Sequence, residues 1–210
     1  MKPKVIIKDI DYPVYSQPST LPPPTVEELS CRITRCREMM EQRGLTHLLV
    51  YGDREHFANL MYLTNFDPRF EEALLVLRLT EKPLVLVGNE CEGHLGISPL
   101  YLAKELRHER FQTFSLMNQP RNASRRLDVI FREEGITEEA YIGIVGWKYY
   151  SDPEFDFPLY ATDVPNYIID VLRTLVPVNR LINATDLFIA PSYGMRTFLS
   201  PYEVAFFEFS

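Results

Sequence analysis

Groups capable of chemistry gather in three short stretches of this 210-residue chain. The first is Asp53-Arg54-Glu55-His56, four ionisable groups inside what would be one helical turn. Asp53 suits a helix N-cap, and the charges after it suit the positive end of a helix dipole. Arg54 and His56 equally fit a charged lip beside a substrate. The second stretch is Asn65-Phe66-Asp67-Pro68-Arg69-Phe70-Glu71-Glu72. An arginine can grip a carboxylate in a bidentate fork. Arg69 offers that cation, Asp67 an anion, and Phe66 and Phe70 two apolar rings. Together they suit a small zwitterionic or guanidino substrate. An ion pair between Arg69 and Asp67, or a neighbouring glutamate, would instead serve only the shape of the loop. The third stretch holds Glu90, Cys91, Glu92 and His94. These types can ligate metal, but their spacing matches no strong motif, so they read as ordinary loop residues.

The elements that must position these groups are legible as apolar patterns. Leu48-Leu49-Val50-Tyr51, bounded by Gly52, is a short unbroken run, as expected of a strand buried on both faces. A helix is expected from Asp53, with Phe57, Leu60 and Met61 on its apolar face. Pro68 disfavours helix at Asp67 and so opens a loop. Ala73 to Leu79 and Leu84 to Val87, separated by Thr80-Glu81-Lys82-Pro83, read as a hairpin. Upstream, Thr25-Val26-Glu27-Glu28 is a capping box. The stripe Leu29, Ile33, Cys36, Met40 then marks a helix ended by Gly44.

Downstream, a helix is expected from Ser98-Pro99 to about Leu106, a weak strand over 111–116 and a helix over 122–134 closed by Gly135. Tyr141 to Trp147 reads as a strand, 163–176 as an amphipathic helix, Leu181-Ile182 as a strand and 184–189 as a short helix. Ser200-Pro201-Tyr202-Glu203 is a second capping box, followed by Val204, Phe206, Phe207 and Phe209. The fold class is therefore α/β, a mixed sheet of about six strands with helices on both faces. Residues 1–24, rich in proline, read as an extended arm.

Composition bounds the function. Net charge is −7, which argues against nucleic acid and anionic membrane as partners. No apolar run approaches the roughly 20 residues that span a bilayer. Met1 to Ile10 lacks the apolar core of a signal peptide. Three cysteines, Cys31, Cys36 and Cys91, are an odd and sparse set that fits reduced thiols in the cytoplasm. No nucleophile elbow, H-E-x-x-H helix, P-loop or dinucleotide-binding glycine motif occurs.

The run Y-G-D-R-E-H-F-A-N-L-x-Y-L-T-N-F-D-P-R-F-E-E-A-L-L-V-L, from Tyr51 to Leu77, resembles the N-terminal domain of the creatinase/prolidase metallopeptidases. Met195-Arg196 and Ser200-Pro201-Tyr202-Glu203 are similar to that family's junction with its catalytic domain. Phe198-Leu199, where a basic residue is common, and the aromatic Phe206 to Phe209 depart from it.

The resemblance implies a ribonuclease-H-like N-terminal domain over 25–195 and the start of the junction over 196–210. It implies a non-catalytic role in subunit association and in closing a neighbouring active site. The parent would be an Xaa-Pro peptidase or related hydrolase, a homodimer or higher oligomer acting on a peptide or small guanidino or zwitterionic substrate. Two divalent ions (manganese, cobalt or zinc) would sit in a separate catalytic domain, with no cofactor and no catalytic residue in this chain. Arg69, Phe70, Phe66, Asp67, Arg54 and His56 are the substrate-proximal candidates. The alternative is a stand-alone binding or oligomerisation module.

Overall fold

The computed structural model describes residues 7–11, 24–150 and 154–209. The chain divides into one compact unit, Pro24–Phe198, and a second made of the terminal segments. Most of the expected proline-rich arm lies outside the described residues; Ile7 and Ile10 are exposed.

The compact unit is built on a six-stranded mixed sheet. Its strands are β1 (His47–Gly52), β2 (Ala73–Arg78), β3 (Leu84–Val87), β4 (Arg107–Arg110), β5 (Ile142–Val145) and β6 (Leu181–Asn183), ordered β4-β3-β2-β1-β5-β6. Only β2 runs against its neighbours: Val50 opposes Leu75 across β1 and β2, and Leu75 opposes Val85 across the hairpin. The β3–β4, β1–β5 and β5–β6 pairs are parallel.

Alternation along the strands makes two cores. Leu48, Val50, Leu75, Leu77, Val85 and Val87 face one layer, filled by Leu29, Ile33, Cys36 and Met40 of α1 (Val26–Gln42) and by Leu60 and Leu63 of α2 (Ala58–Thr64). Leu49, Tyr51, Leu74, Val76 and Leu86 face the other layer. It is filled by Leu127, Ile130 and Phe131 of α5 (Leu127–Glu133) and by Ile168, Ile169 and Leu172 of α6 (Asn166–Arg173). Every residue of β1 is buried, so its continuous apolar run is the signature of a strand covered on both sides.

Short helices α3 (Asn89–Glu92) and α4 (Pro99–Leu102) bridge β3 to β4, and α7 (Asp186–Ile189) follows β6. Thr25 Oγ1 accepts the Glu28 amide at 3.1 Å, and Gly44 closes the α1 turn at φ 68°, where a Cβ would strain the backbone.

Several expected boundaries move. No helix starts at Asp53: its Oδ1 accepts the Glu55 and His56 amides, both at 2.8 Å, in an isolated turn, and α2 begins only at Ala58. A short polar side chain that bonds amides two and three residues on can cap a turn as readily as a helix. As a result Met61 points outward, and Leu60 and Leu63 carry the packing. The strand expected over 111–116 lies earlier, at Arg107–Arg110, with a 3₁₀ turn at Gln112–Phe114. β4 is a polar edge strand with no apolar alternation to reveal it. The helices read over 98–106, 122–134 and 163–176 are cut to α4, α5 and α6, because their polar ends settle into turns.

In the second unit, α8 (Pro201–Phe209) follows a reciprocal capping box: Glu203 N donates to Ser200 Oγ at 3.2 Å, and Ser200 N donates to Glu203 Oε2 at 2.9 Å. None of its residues is buried. No helix among the described residues is long and apolar enough to cross a membrane.

Candidate functional site

Because β2 alone is reversed, its amino end lies beside the carboxyl ends of the other strands. The turn after β1, the loop before β2, the start of α3, the 3₁₀ turn after β4 and the segment after β5 all belong to this end of the sheet. Ligands of open α/β sheets bind at the carboxyl ends of the strands, near the strand from which the order turns both ways. Here that strand is β1.

A cleft of about 420 Å³ opens at this end, lined by Tyr51, Asp53, Arg54, Glu55, His56, Phe70, Glu71, Glu72, Phe114, Ser115 and Leu116. Two of its carboxylates are engaged by the backbone. Burial pushes Asp53 up, but the amides of Glu55 and His56 outweigh it and hold the carboxyl below its ordinary range. Glu71 is buried and accepts the Cys91 amide at 2.9 Å and the Glu90 amide at 3.3 Å. Its carboxylate fills the space a Cβ at Gly88 would need, 2.5 Å away.

Of the other two, Glu55 is exposed and Glu72 is held differently. Glu72 Oε2 accepts the hydroxyls of Tyr51 and Tyr167, each at 2.8 Å. Burial and the Glu72 charge together push both phenols well up, so they stay protonated donors. The His56 ring of the lining stacks on Trp147, centroids 4.2 Å apart, with its Nδ1 3.3 Å from Asp53 Oδ2. Lys148 Nζ covers the Trp147 ring at 3.9 Å.

Beside the cleft, the loop before β2 is rigidly shaped. Asn65 at φ 54° ends α2, and Asp67 Oδ1 accepts the Arg69 amide at 2.8 Å. Cys91 Sγ donates to Pro68 O at 2.7 Å. Arg69 and Phe70 are exposed, Phe70 by 56%, and the Arg69 guanidinium has no partner among the described residues.

The expected candidates therefore separate. Arg54, His56 and Phe70 line the cleft. Arg69 stands outside it, facing solvent. Asp67 shapes the loop through a backbone amide rather than an ion pair. Phe66 must be corrected: it is fully buried in the layer with Leu60 and Leu63, so it offers no face to a ligand. An aromatic directly after a helix C-cap packs back onto that helix, and the sequence alone did not separate it from exposed Phe70. The residues that sequence reasoning missed are Tyr51, Glu72, Tyr167 and Ser115. Tyr51 reads as a strand residue, and Tyr167 lies 95 positions from its partner. Among the described residues no cluster of histidine, cysteine and carboxylates could hold a metal ion, and Glu90, Cys91, Glu92 and His94 form none.

No family model matches the sequence, and no curated protein matches it. Solved structures do. The dipeptidase PepE from Mycobacterium ulcerans matches at TM-score 0.48 and 16% identity, over 77% of this chain and 36% of its own. The creatinase/prolidase N-terminal domain of an X-Pro dipeptidase from Streptococcus pyogenes matches at TM-score 0.44 and 14% identity, over 74% of this chain and 94% of its own. The N-terminal, creatinase/prolidase-like domain of a protein from Corynebacterium diphtheriae matches at TM-score 0.44 and 13% identity, over 76% of this chain and 97% of its own. The chain is similar to creatinase/prolidase N-terminal domains. It spans about a third of the first two enzymes matched, the M. ulcerans dipeptidase and a prolidase from Pyrococcus horikoshii.

Proposed function

We propose that this chain is the non-catalytic N-terminal domain of a creatinase/prolidase-like metallohydrolase, an Xaa-Pro peptidase or a close relative. It serves subunit association and closure of a neighbouring active site in a cytoplasmic homodimer or larger homo-oligomer. Metal ions would belong to the catalytic domain, and a peptide or small guanidino or zwitterionic substrate would bind there.

The observation that carries this reading is the presentation of Arg69 and Phe70. The loop is fixed from below by Asp67, Cys91 and Glu71, while both side chains project outward and the guanidinium is unpaired among the described residues. A cation held on a rigid base, with a ring beside it, suits a substrate carboxylate delivered by a facing surface. The run from Tyr51 to Leu77 that resembles the family includes this loop. The domain would span 25–195, with 196–210 starting the junction.

The test is made in the full-length protein. Arg69→Ala should lower kcat/KM for Xaa-Pro dipeptides by about tenfold or more, as expected for losing a charge-assisted contact. Bound metal should stay unchanged. An unchanged kcat/KM would overturn the role of Arg69, and a full-length protein without metal or hydrolase activity would overturn the family reading.

A further inference from the structure

The cleft at the end of β1 is complete within this chain, so an occupant there needs neither a second subunit nor a catalytic domain. The exposed Glu55 carboxylate in its lining has no partner among the described residues. The Asp53 and Glu71 carboxylates are engaged by backbone amides. Glu72 gives one oxygen to Tyr51 and Tyr167, and its Oε1 has no partner among the described residues. A carboxylate clamped through one oxygen by two phenols is oriented before any ligand arrives.

Arg54 lines the same cleft, exposed and without a partner among the described residues. The half-exposed ring of Phe70 lines the same cleft. Ser115, also in the lining, carries a buried hydroxyl without a hydrogen-bond partner among the described residues. A buried hydroxyl left unbonded is costly unless something completes it.

Two free anions, Glu55 and Glu72, one free cation and a ring around about 420 Å³, beside a buried hydroxyl, fit a small amphoteric molecule with an apolar body. We propose that this cleft binds a free α-amino acid with an aromatic or large apolar side chain. Its ammonium group donates to Glu72 Oε1, its carboxylate accepts from Arg54, and its side chain lies on Phe70.

The assay is amide chemical-shift titration of this chain with three probes: L-phenylalanine, N-acetyl-L-phenylalanine, which lacks the ammonium, and phenethylamine, which lacks the carboxylate. L-Phenylalanine should give saturable shifts around Arg54, Phe70, Glu72 and Ser115, and each truncated analogue should bind about tenfold weaker or worse. Glu72→Gln should abolish the preference over the N-acetyl compound, and Arg54→Ala the preference over phenethylamine. Arg54 is exposed, so its variant keeps the test available if Glu72→Gln does not fold. Absence of saturable shifts with L-phenylalanine overturns the proposal, and so do equal affinities for the three probes. A folded Arg54→Ala that retains the full preference over phenethylamine overturns it as well.

Discussion

At the scale of single residues, Arg69 adopts φ 54°, in the left-handed region that residues other than glycine, asparagine and aspartate seldom enter. The strain persists because Asp67 Oδ1 takes the Arg69 amide and Pro68 is tied down by Cys91. Arg69→Gly should therefore raise stability by about 1 kcal/mol, visible as a higher Tm, since glycine reaches this region freely. Arg69→Ala keeps the strain and should leave Tm nearly unchanged. A residue that improves stability when replaced is held for another reason, and the pair of variants separates that reason from folding.

The three thiols give a second prediction. Burial pushes Cys36 up to about 12; burial, then the Glu71 charge, pushes Cys91 up to about 12; Cys31 is exposed. The thiolate is the nucleophile. Iodoacetamide should thus label Cys31 quickly in the native protein, with Cys36 and Cys91 reacting only after denaturation. The linked stability has a definite sign: the unfolded chain ionises first, above the ordinary value of 9.0, so stability falls as pH rises from there towards about 12. Rapid native labelling of all three would contradict the buried placement.

At the scale of elements, helix ends are the informative places. Thr25→Ala removes the acceptor of the Glu28 amide and should cost about 1 kcal/mol, read as a lower urea midpoint with unchanged slope. The end of α1 is joined to α7 by Arg43 and Asp186, with Arg43 Nη1 donating to Asp186 Oδ1 at 2.9 Å. Burial alone would push Asp186 up, but hydrogen bonds from Arg43 and Tyr193 outweigh it and hold the carboxyl below its ordinary range. Its contribution is present above the ordinary carboxylate range and fades as pH falls below it. In Asp186→Asn the acid limb of the pH–stability curve should flatten.

Elements with a strong period were legible: α1 from its stripe, β1 from its unbroken run, β2–β3 from Pro83 and the paired apolar runs. What escaped was decided by distant contacts. Nothing local to Arg107–Arg110 marks an edge strand, since its pairing comes from β3. Nothing local distinguishes buried Phe66 from exposed Phe70, because the difference is set by the left-handed turn between them. The Glu72 clamp joins β1 to α6 across the sequence, a relation without a periodic signature.

For the whole molecule, the proposed placement of the metal ions in a separate catalytic domain has a direct expectation. Purified chain should not hydrolyse Xaa-Pro dipeptides in the presence of manganese, cobalt or zinc. Metal-dependent turnover proportional to the amount of this protein, and retained through repeated purification, would contradict that. The same assay on the full-length protein gives the positive comparison.

The carboxylate of Glu71, lodged against Gly88 and bonded to the first amides of α3, also bears on timing. It fastens the base of the loop to a different strand connection, so the loop's conformational entropy is lost once, during folding. A partner meeting Arg69 and Phe70 then has little left to order. Such a surface should associate without a slow rearrangement, its observed rate rising linearly with partner concentration and its lifetime set by dissociation. Replacing Gly88 with alanine would push the carboxylate aside and unfasten the base. The loop would then have to be ordered at each encounter, and binding would weaken with no contact to the partner removed.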